Sequence, residues 1–204
     1  RDECTGNHVR RTCAYVDALA NKLAESPKWE NFLSPACISQ IVKSAPLHDI
    51  GKIGIPDSVL KKPGPFTPDE RQTMNRHPAI GASILGKSRI ELFQLASEIA
   101  LTHHERWDGQ GYPNQLAGED IPLSGRIVAV VDFYDALTMN RVYRPAFSHE
   151  KVLEMLLAER GRAFDPAIVD CFMRSNIAMS AVRERVTNQQ MTFSDLIQNE
   201  PVNP

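Results

Sequence analysis

Arg126-Ile127-Val128-Ala129-Val130-Val131-Asp132-Phe133-Tyr134-Asp135-Ala136-Leu137 is apolar almost all the way round when wound as a helix, with a carboxylate set into that apolar surface. A helix that lacks a polar face is a buried helix, so this stretch predicts a core of helices packed around it. A carboxylate in such a place costs on the order of several kcal/mol unless a cation or a metal neutralises it. Asp132 therefore demands a partner, either an arginine such as Arg126, Arg141 or Arg144, or a metal ion. Asp135 lies three residues further on, on nearly the same face, where a hydrogen-bonding carboxylate is the simpler reading.

The segments on either side follow helical periods. Val9, Cys13, Val16, Ala20 and Leu23 recur at spacings of three and four, which predicts a helix over about residues 5–25. Ser26-Pro27 ends it, and a second helix fits residues 35–44. Thr67-Pro68-Asp69-Glu70 is a helix start, with Thr67 as N-cap, Pro68 at the first helical position and Glu70 closing a capping box. Further helices fit residues 79–86, 90–105, 123–140, 148–160 and 166–186. No stretch alternates with the period of two that a strand requires, so the expected class is all-α. Residues 61–66 and 107–121, rich in Gly and Pro, read as irregular. Residues 1–186 form the expected domain, and the polar stretch 187–204, ending in Pro201 and Pro204, reads as a tail.

Composition narrows the class. The 204 residues hold 23 Lys and Arg against 25 Asp and Glu, a net charge of −2, with no basic excess to grip a long nucleic acid. The longest unbroken apolar run, 127–131, falls far short of the roughly 18 residues of a membrane helix. Cys4, Cys13, Cys37 and Cys171 are widely spaced and form no CxxC pair, the pattern of reduced thiols in a cytoplasmic protein. Arg1-Asp2-Glu3 shows neither an initiator Met nor the start of a secretory signal, so the chain reads as part of a longer protein.

The chemistry concentrates in the histidines. His48-Asp49 sits between Ala45-Pro46-Leu47 and Ile50-Gly51-Lys52-Ile53, and His103-His104 ends a helix containing Leu95, Ile99 and Leu101. A single histidine beside an apolar face is usually a hydrogen-bonded core residue; two adjacent pairs, each rimmed by apolar residues, point to metal ligation. Side chains of neighbouring helical residues diverge by about 100°, so such a pair can serve two adjacent metals. With His8 and His77, these residues and Asp132 compose a mixed N/O donor set suited to Fe, Mn, Ni or Zn. His149, beside Ser148 and Glu150, reads as a surface residue. Trp107-Asp108-Gly109-Gln110-Gly111-Tyr112-Pro113 is a loop whose glycines permit tight turns and whose aromatics can pack on a base or a sugar. The chain contains no dinucleotide-binding GxGxxG, P-loop or GxSxG elbow.

Taken together, His48-Asp49-Ile50-Gly51-Lys52, His77, His103-His104-Glu105 and Asp108-Gly109-Gln110-Gly111-Tyr112-Pro113 resemble the HD-GYP domain family. The resemblance continues through Asp132–Thr138, Arg141-Val142-Tyr143-Arg144 and Phe164-Asp165-Pro166, and so covers most of the chain. It implies an HD-superfamily bundle of about seven to nine helices, with a metal centre in its middle, that hydrolyses cyclic di-GMP. The implied ligands are His8, His48, Asp49, His77, His103, His104 and Asp132, with iron or manganese the favoured metals and Ni or Zn as alternatives. Lys52 matches the family lysine near the scissile phosphate. Gly111, Tyr112, Arg141 and Arg144 match positions that hold the dinucleotide, with Asp135 as a further contact. The family often opens with Glu-Thr-Gly-x-His, and the Glu is a ligand in three-metal members; here the run is Cys4-Thr5-Gly6-Asn7-His8, which implies two metals rather than three.

The implied mechanism is attack on phosphorus by a hydroxide bridging two metals roughly 3.5–4 Å apart. Asp49 would bridge the metals, Lys52 would stabilise phosphoryl charge, and Arg141 and Arg144 would grip the second phosphate. Linear pGpG would be the first product, with pGpG and/or GMP as the end product. Three other readings stand beside this one: cleavage of 3′,3′-cyclic GMP-AMP, a catalytically weak dinucleotide sensor, and a mononucleotide hydrolase. The last ranks lowest because such an enzyme would lack the 108–113 loop motif. HD-GYP domains are commonly fused to receiver or sensory domains, so one is expected ahead of this chain, and a homodimer through the first helix is an open alternative to a monomer.

Overall fold

The computed structural model describes residues 6–140 and 145–187. Among them are ten α-helices, three short 3₁₀ turns and no strand, only a single bridge between Arg160 and Phe164. The helices are α1 (Gly6–Ala24), α2 (Pro35–Ser44), α3 (Asp57–Leu60), α4 (Pro68–Met74), α5 (His77–Leu85), α6 (Glu91–Thr102), α7 (Leu123–Thr138), α8 (His149–Ala158), α9 (Pro166–Arg174) and α10 (Asn176–Thr187). The class is all-α, as the periodicities predict.

Helix α7 is the spine. It packs against α1, α6, α8 and α9, and Ile127, Val128, Val130, Val131 and Tyr134 lose all their exposure there. Burying each such side chain contributes roughly 1.5–3 kcal/mol, which is why the one helix without a polar face takes the centre. Tyr15, Val16, Leu19, Ala20 and Leu23 of α1 are buried against it, and the Tyr15 and Tyr134 rings meet edge to face at 5.2 Å. Arg126 is buried and donates to Asp165 at 2.7 Å, so it is not the partner that Asp132 demands.

Local chemistry sets the helix ends. The Thr67 hydroxyl accepts from the Glu70 N–H at 3.3 Å while the Glu70 carboxylate accepts from the Thr67 N–H at 2.7 Å, the expected capping box. The side chains of Ser34, Ser148 and Asp165 each accept one backbone N–H at the starts of α2, α8 and α9.

Two expectations are corrected. The single helix expected over 166–186 is two helices broken at Ser175. Ser and Asn side chains compete with helical backbone bonds; here the Asn176 amide donates to the Met173 carbonyl at 2.6 Å, and the break lets α10 turn back onto α1. His149 is half-buried rather than a surface residue, and shares a 2.7 Å hydrogen bond with the Tyr134 hydroxyl, which needs a partner in the core. The turns at Ala45–Leu47 and Ile50–Gly54 and the single-turn α3 carry too few residues to show a period. Of the expected tail, Thr187 ends α10 and residues 188–204 lie outside the described part. None of the described helices is long and apolar enough to cross a membrane.

One close approach governs how α7 meets the end of α6. A Cβ on Gly125 would lie 2.2 Å from the Thr102 hydroxyl oxygen, beside the histidine pair. Gly125→Ala should therefore lower stability by about 1–3 kcal/mol, the usual cost of overpacking. Urea denaturation followed by circular dichroism checks this, as a fall in midpoint.

Candidate metal centre

The expected ligands come from five different segments. α1 supplies His8, the chain between the first two 3₁₀ turns supplies His48 and Asp49, α5 begins with His77, the end of α6 supplies His103 and His104, and α7 supplies Asp132. Two groups form, each with its donor atoms within 4.8 Å of one another: Asp49, His77, His103 and His104 in one, His8, His48 and Asp132 in the other. Asp49 joins them. Its Oδ1 lies 3.3 Å from His77 Nε2 and 3.8 Å from His103 Nε2, and its Oδ2 lies 3.3 Å from His48 Nε2. Asp132 Oδ1 stands 3.6 Å from His48 Nε2, with its side chain 25% exposed, so it lies at the edge of the cluster and not in the dry core.

Helix-end chemistry aims the rings. Three of the histidines donate Nδ1 to a backbone carbonyl three residues earlier, at or near the end of a helical turn. Nδ1 of His48 donates to the Ala45 carbonyl at 2.8 Å, that of His77 to Met74 at 2.8 Å, and that of His103 to Ala100 at 2.9 Å. A carbonyl can only accept, so the proton is fixed on Nδ1 and the Nε2 lone pair faces the focus, the arrangement metal-bound histidines adopt. His48 Nε2 and Asp49 Oδ1 are buried with no hydrogen-bond partner. Unpaired buried polar atoms are costly, and here both point at the shared centre. The donor set fits divalent metals.

Electrostatics says the same. Burial opposes charge on His48, but Asp49 and then Asp132 outweigh it and hold its pKa well above the usual imidazole value. Burial likewise opposes ionisation of Asp49, and His48, His77 and Lys52 overturn this and hold its pKa well below the carboxylate range. Burial keeps His103 well below the ordinary value, with His104 and His48 adding to it, and lowers His104 to about 4. His103 and His104 are thus kept neutral with lone pairs available, whereas His48, favoured in its charged form by the two carboxylates, would release a proton when a cation takes that place.

The expected substrate contacts are placed more variously. Lys52 donates to Asp49 Oδ2 at 2.7 Å, on the carboxylate shared by the two groups. The Tyr112 ring stacks on His104 with centroids 4.9 Å apart. Gly111 is buried, and a Cβ there would lie 2.3 Å from the Arg106 nitrogen. Its missing side chain thus serves the packing of loop on chain, where ligand approach was the expectation. The Asp135 carboxylate, expected as a substrate contact, is 2% exposed as a residue and is taken up by Arg11 and His8. Cys4, Arg141 and Arg144 lie outside the described residues.

Two residues escaped the sequence reading. Glu105 is 4% exposed, and its carboxylate accepts from the N–H groups of Asn114 at 2.7 Å and Leu116 at 3.1 Å, pinning the 108–116 loop to the histidine pair. The signal was an acid directly beside a Gly- and Pro-rich loop with backbone donors to satisfy. Arg11 lies one helical turn beyond His8, which is the signal that could have found it.

Comparison with known proteins agrees with this geometry. Residues 1–168 match the HD domain family, and the chain belongs to it. A Vibrio cholerae protein named cyclic di-GMP phosphodiesterase is 53% identical over 178 residues, which are 85% of this chain and 36% of that protein. A second V. cholerae protein, 3′3′-cGAMP-specific phosphodiesterase 2, is 43% identical over 185 residues, 90% of this chain and 34% of that one. The chain thus spans about a third of the length of these relatives. Among solved structures, a V. cholerae cyclic GMP-AMP specific phosphodiesterase shares the fold with a TM-score of 0.56 at 18% identity, over 94% of this chain and 57% of that chain.

Removing the Glu105 carboxylate would take away the acceptor of two backbone N–H groups, each hydrogen bond to a charged group contributing about 1.5–3 kcal/mol. In Glu105→Ala, amide hydrogen exchange at Asn114 and Leu116 should speed up at least about tenfold, the factor that about 1.4 kcal/mol represents, while α7 core amides stay protected.

Proposed function

We propose that this chain is the catalytic domain of a metal-dependent phosphodiesterase that hydrolyses cyclic di-GMP to pGpG and/or GMP. The observation that carries the reading is Asp49, one carboxylate shared by two groups of imidazole donors. Two divalent metals bound there supply Lewis acidity and an acidified water at neutral pH. The all-N/O donor set among the described residues suits borderline metals, with Fe or Mn favoured and Ni or Zn as alternatives.

The chain's own groups do the rest. Asp49 spaces the two halves of the centre, and Lys52, held against its Oδ2, keeps an ammonium at the point where phosphoryl charge builds. An ammonium has three donors, so one can serve Asp49 and another a phosphate oxygen. Arg141 and Arg144 are the candidates for the second phosphate, where guanidinium offers paired donors. Tyr112, whose hydroxyl burial pushes up to about 12, stays protonated and stacks its ring on His104. Water adds across one phosphodiester, the ring opens, and the alcohol leaves with a proton. Cys13, Cys37 and Cys171 are free thiols, which supports a reducing, cytoplasmic setting.

The 43% identical relative named for 3′3′-cGAMP and the cyclic GMP-AMP specific structure with the same fold support a second reading, in which the hybrid dinucleotide is the preferred substrate. Chromatography decides between them. Protein purified without oxygen and loaded with Fe(II), Mn(II), Ni(II) or Zn(II) is given each dinucleotide, and faster appearance of pGpG than of the hybrid's linear product is expected. Asp49→Ala should lose more than about 100-fold in turnover, beyond the cost of removing an outer-shell partner, with its helical circular dichroism retained. Metal-replete Asp49→Ala with wild-type turnover would refute the shared-carboxylate mechanism.

A further inference from the structure

His8 is anchored unlike the other histidines of the centre. Where His48, His77 and His103 rest Nδ1 on backbone carbonyls, His8 sets its Nδ1 2.7 Å from a carboxylate oxygen, Asp135 Oδ2. That carboxylate is gripped in turn by Arg11, with Nε 2.5 Å from Oδ1 and a terminal nitrogen 3.0 Å from Oδ2. All three groups are poorly accessible, with 12% of the His8, 10% of the Arg11 and 3% of the Asp135 side chain exposed.

The pattern is reciprocal between two helices. Residues three apart share a helix face; α1 presents His8 and Arg11, and α7 presents Asp132 and Asp135. One member of each pair belongs to the group formed by His8, His48 and Asp132, and the other member of each pair meets its counterpart behind that group. We propose that Asp135, held in place by Arg11, is the positioning residue that sets His8 for the second metal, so that the α1–α7 contact governs occupancy of that position alone. The inference rests on the two-metal reading of the centre.

The physical reason is threefold. A carboxylate acceptor fixes the proton on Nδ1 and leaves Nε2 as the ring's lone-pair donor. It makes the imidazole a stronger electron donor than a backbone carbonyl does. Arg11 cancels the extra buried charge through a two-point contact, which keeps Asp135 from turning towards the metal as a competing ligand. The other group, built on Asp49, His77, His103 and His104, contains none of these residues.

The test compares metal content by elemental analysis and Mn(II) electron paramagnetic resonance in wild type, Asp135→Asn and Arg11→Gln. Wild type should hold about two metals per chain and show an exchange-coupled Mn(II) pair. Asp135→Asn should fall towards one metal, with the second bound about 10–100-fold more weakly, and its spectrum should become that of isolated Mn(II). Arg11→Gln should weaken the same position to a smaller degree, and Arg11→Lys should restore part of it. Two metals bound with wild-type affinity in Asp135→Asn would overturn the inference while leaving the two-metal reading intact; fewer than two in wild type would overturn both. Long-range ¹⁵N correlations of the histidine rings in Zn-loaded wild type need no variant to fold: His8 protonated at Nδ1 supports the proposal, and His8 protonated at Nε2 ends it.

Discussion

Asp49 and Asp132 face His48 Nε2 from 3.3 and 3.6 Å, in a pocket where water screens them poorly, and the rest of the structure is arranged around that concentration of negative charge. Carboxylates so placed need a cation, and the need is met on several sides: the ammonium of Lys52, imidazoles turned with their lone pairs inward, and a focus fit for metals. The orienting force is ordinary helix chemistry. Three histidines sit where a helical turn ends, and each spends Nδ1 on a backbone carbonyl three residues before it. One hydrogen bond thus fixes a tautomer, and the metal-binding atom is aimed as a consequence.

Holding five segments to one point requires close approach, and this is where missing side chains matter. Gly51 lies so near the start of α5 that a Cβ would sit 1.9 Å from the His77 carbonyl oxygen. Gly125 does the same for α7 against Thr102, and Gly111 for the 108–116 loop against Glu105 and Arg106. Each glycine joins a ligand-bearing segment to its neighbour, so these three set distances within the centre. The apolar core, centred on α7 and on the buried face of α1, supplies the rigidity that keeps those distances.

Outside that core the loop over 105–118 is fastened by polar contacts. Glu105 takes two of its backbone donors, Arg106 pairs with Asp108 in a two-point contact, and the N–H groups of Trp107 and Asp108 donate to the Ala163 and Arg162 carbonyls. The His104–Tyr112 stack ties the loop's aromatic ring to a metal-facing imidazole. Chemistry and substrate contact are therefore mechanically joined: the segment that meets the dinucleotide in the proposed function is fixed to the segment that carries the ligands.

Much of this was written in the residue order. The one helix with no polar face had to be central, because any other position would expose Val and Ile to water; α2 and the capped start of α4 follow from Pro, Ser and Thr at positions where backbone donors need partners. The histidine pairs and Asp132 were legible because imidazoles and carboxylates rimmed by apolar residues have few stable explanations other than metal binding. What the linear order does not contain is who meets whom across the bundle. The return of α10 onto α1, the bond between His149 and Tyr134, and the capture of Asp135 by His8 and Arg11 all depend on separate helices arriving at one place. Donor and acceptor types are properties of single residues, but whether a donor finds its acceptor is set by packing, and only the tertiary structure decides that.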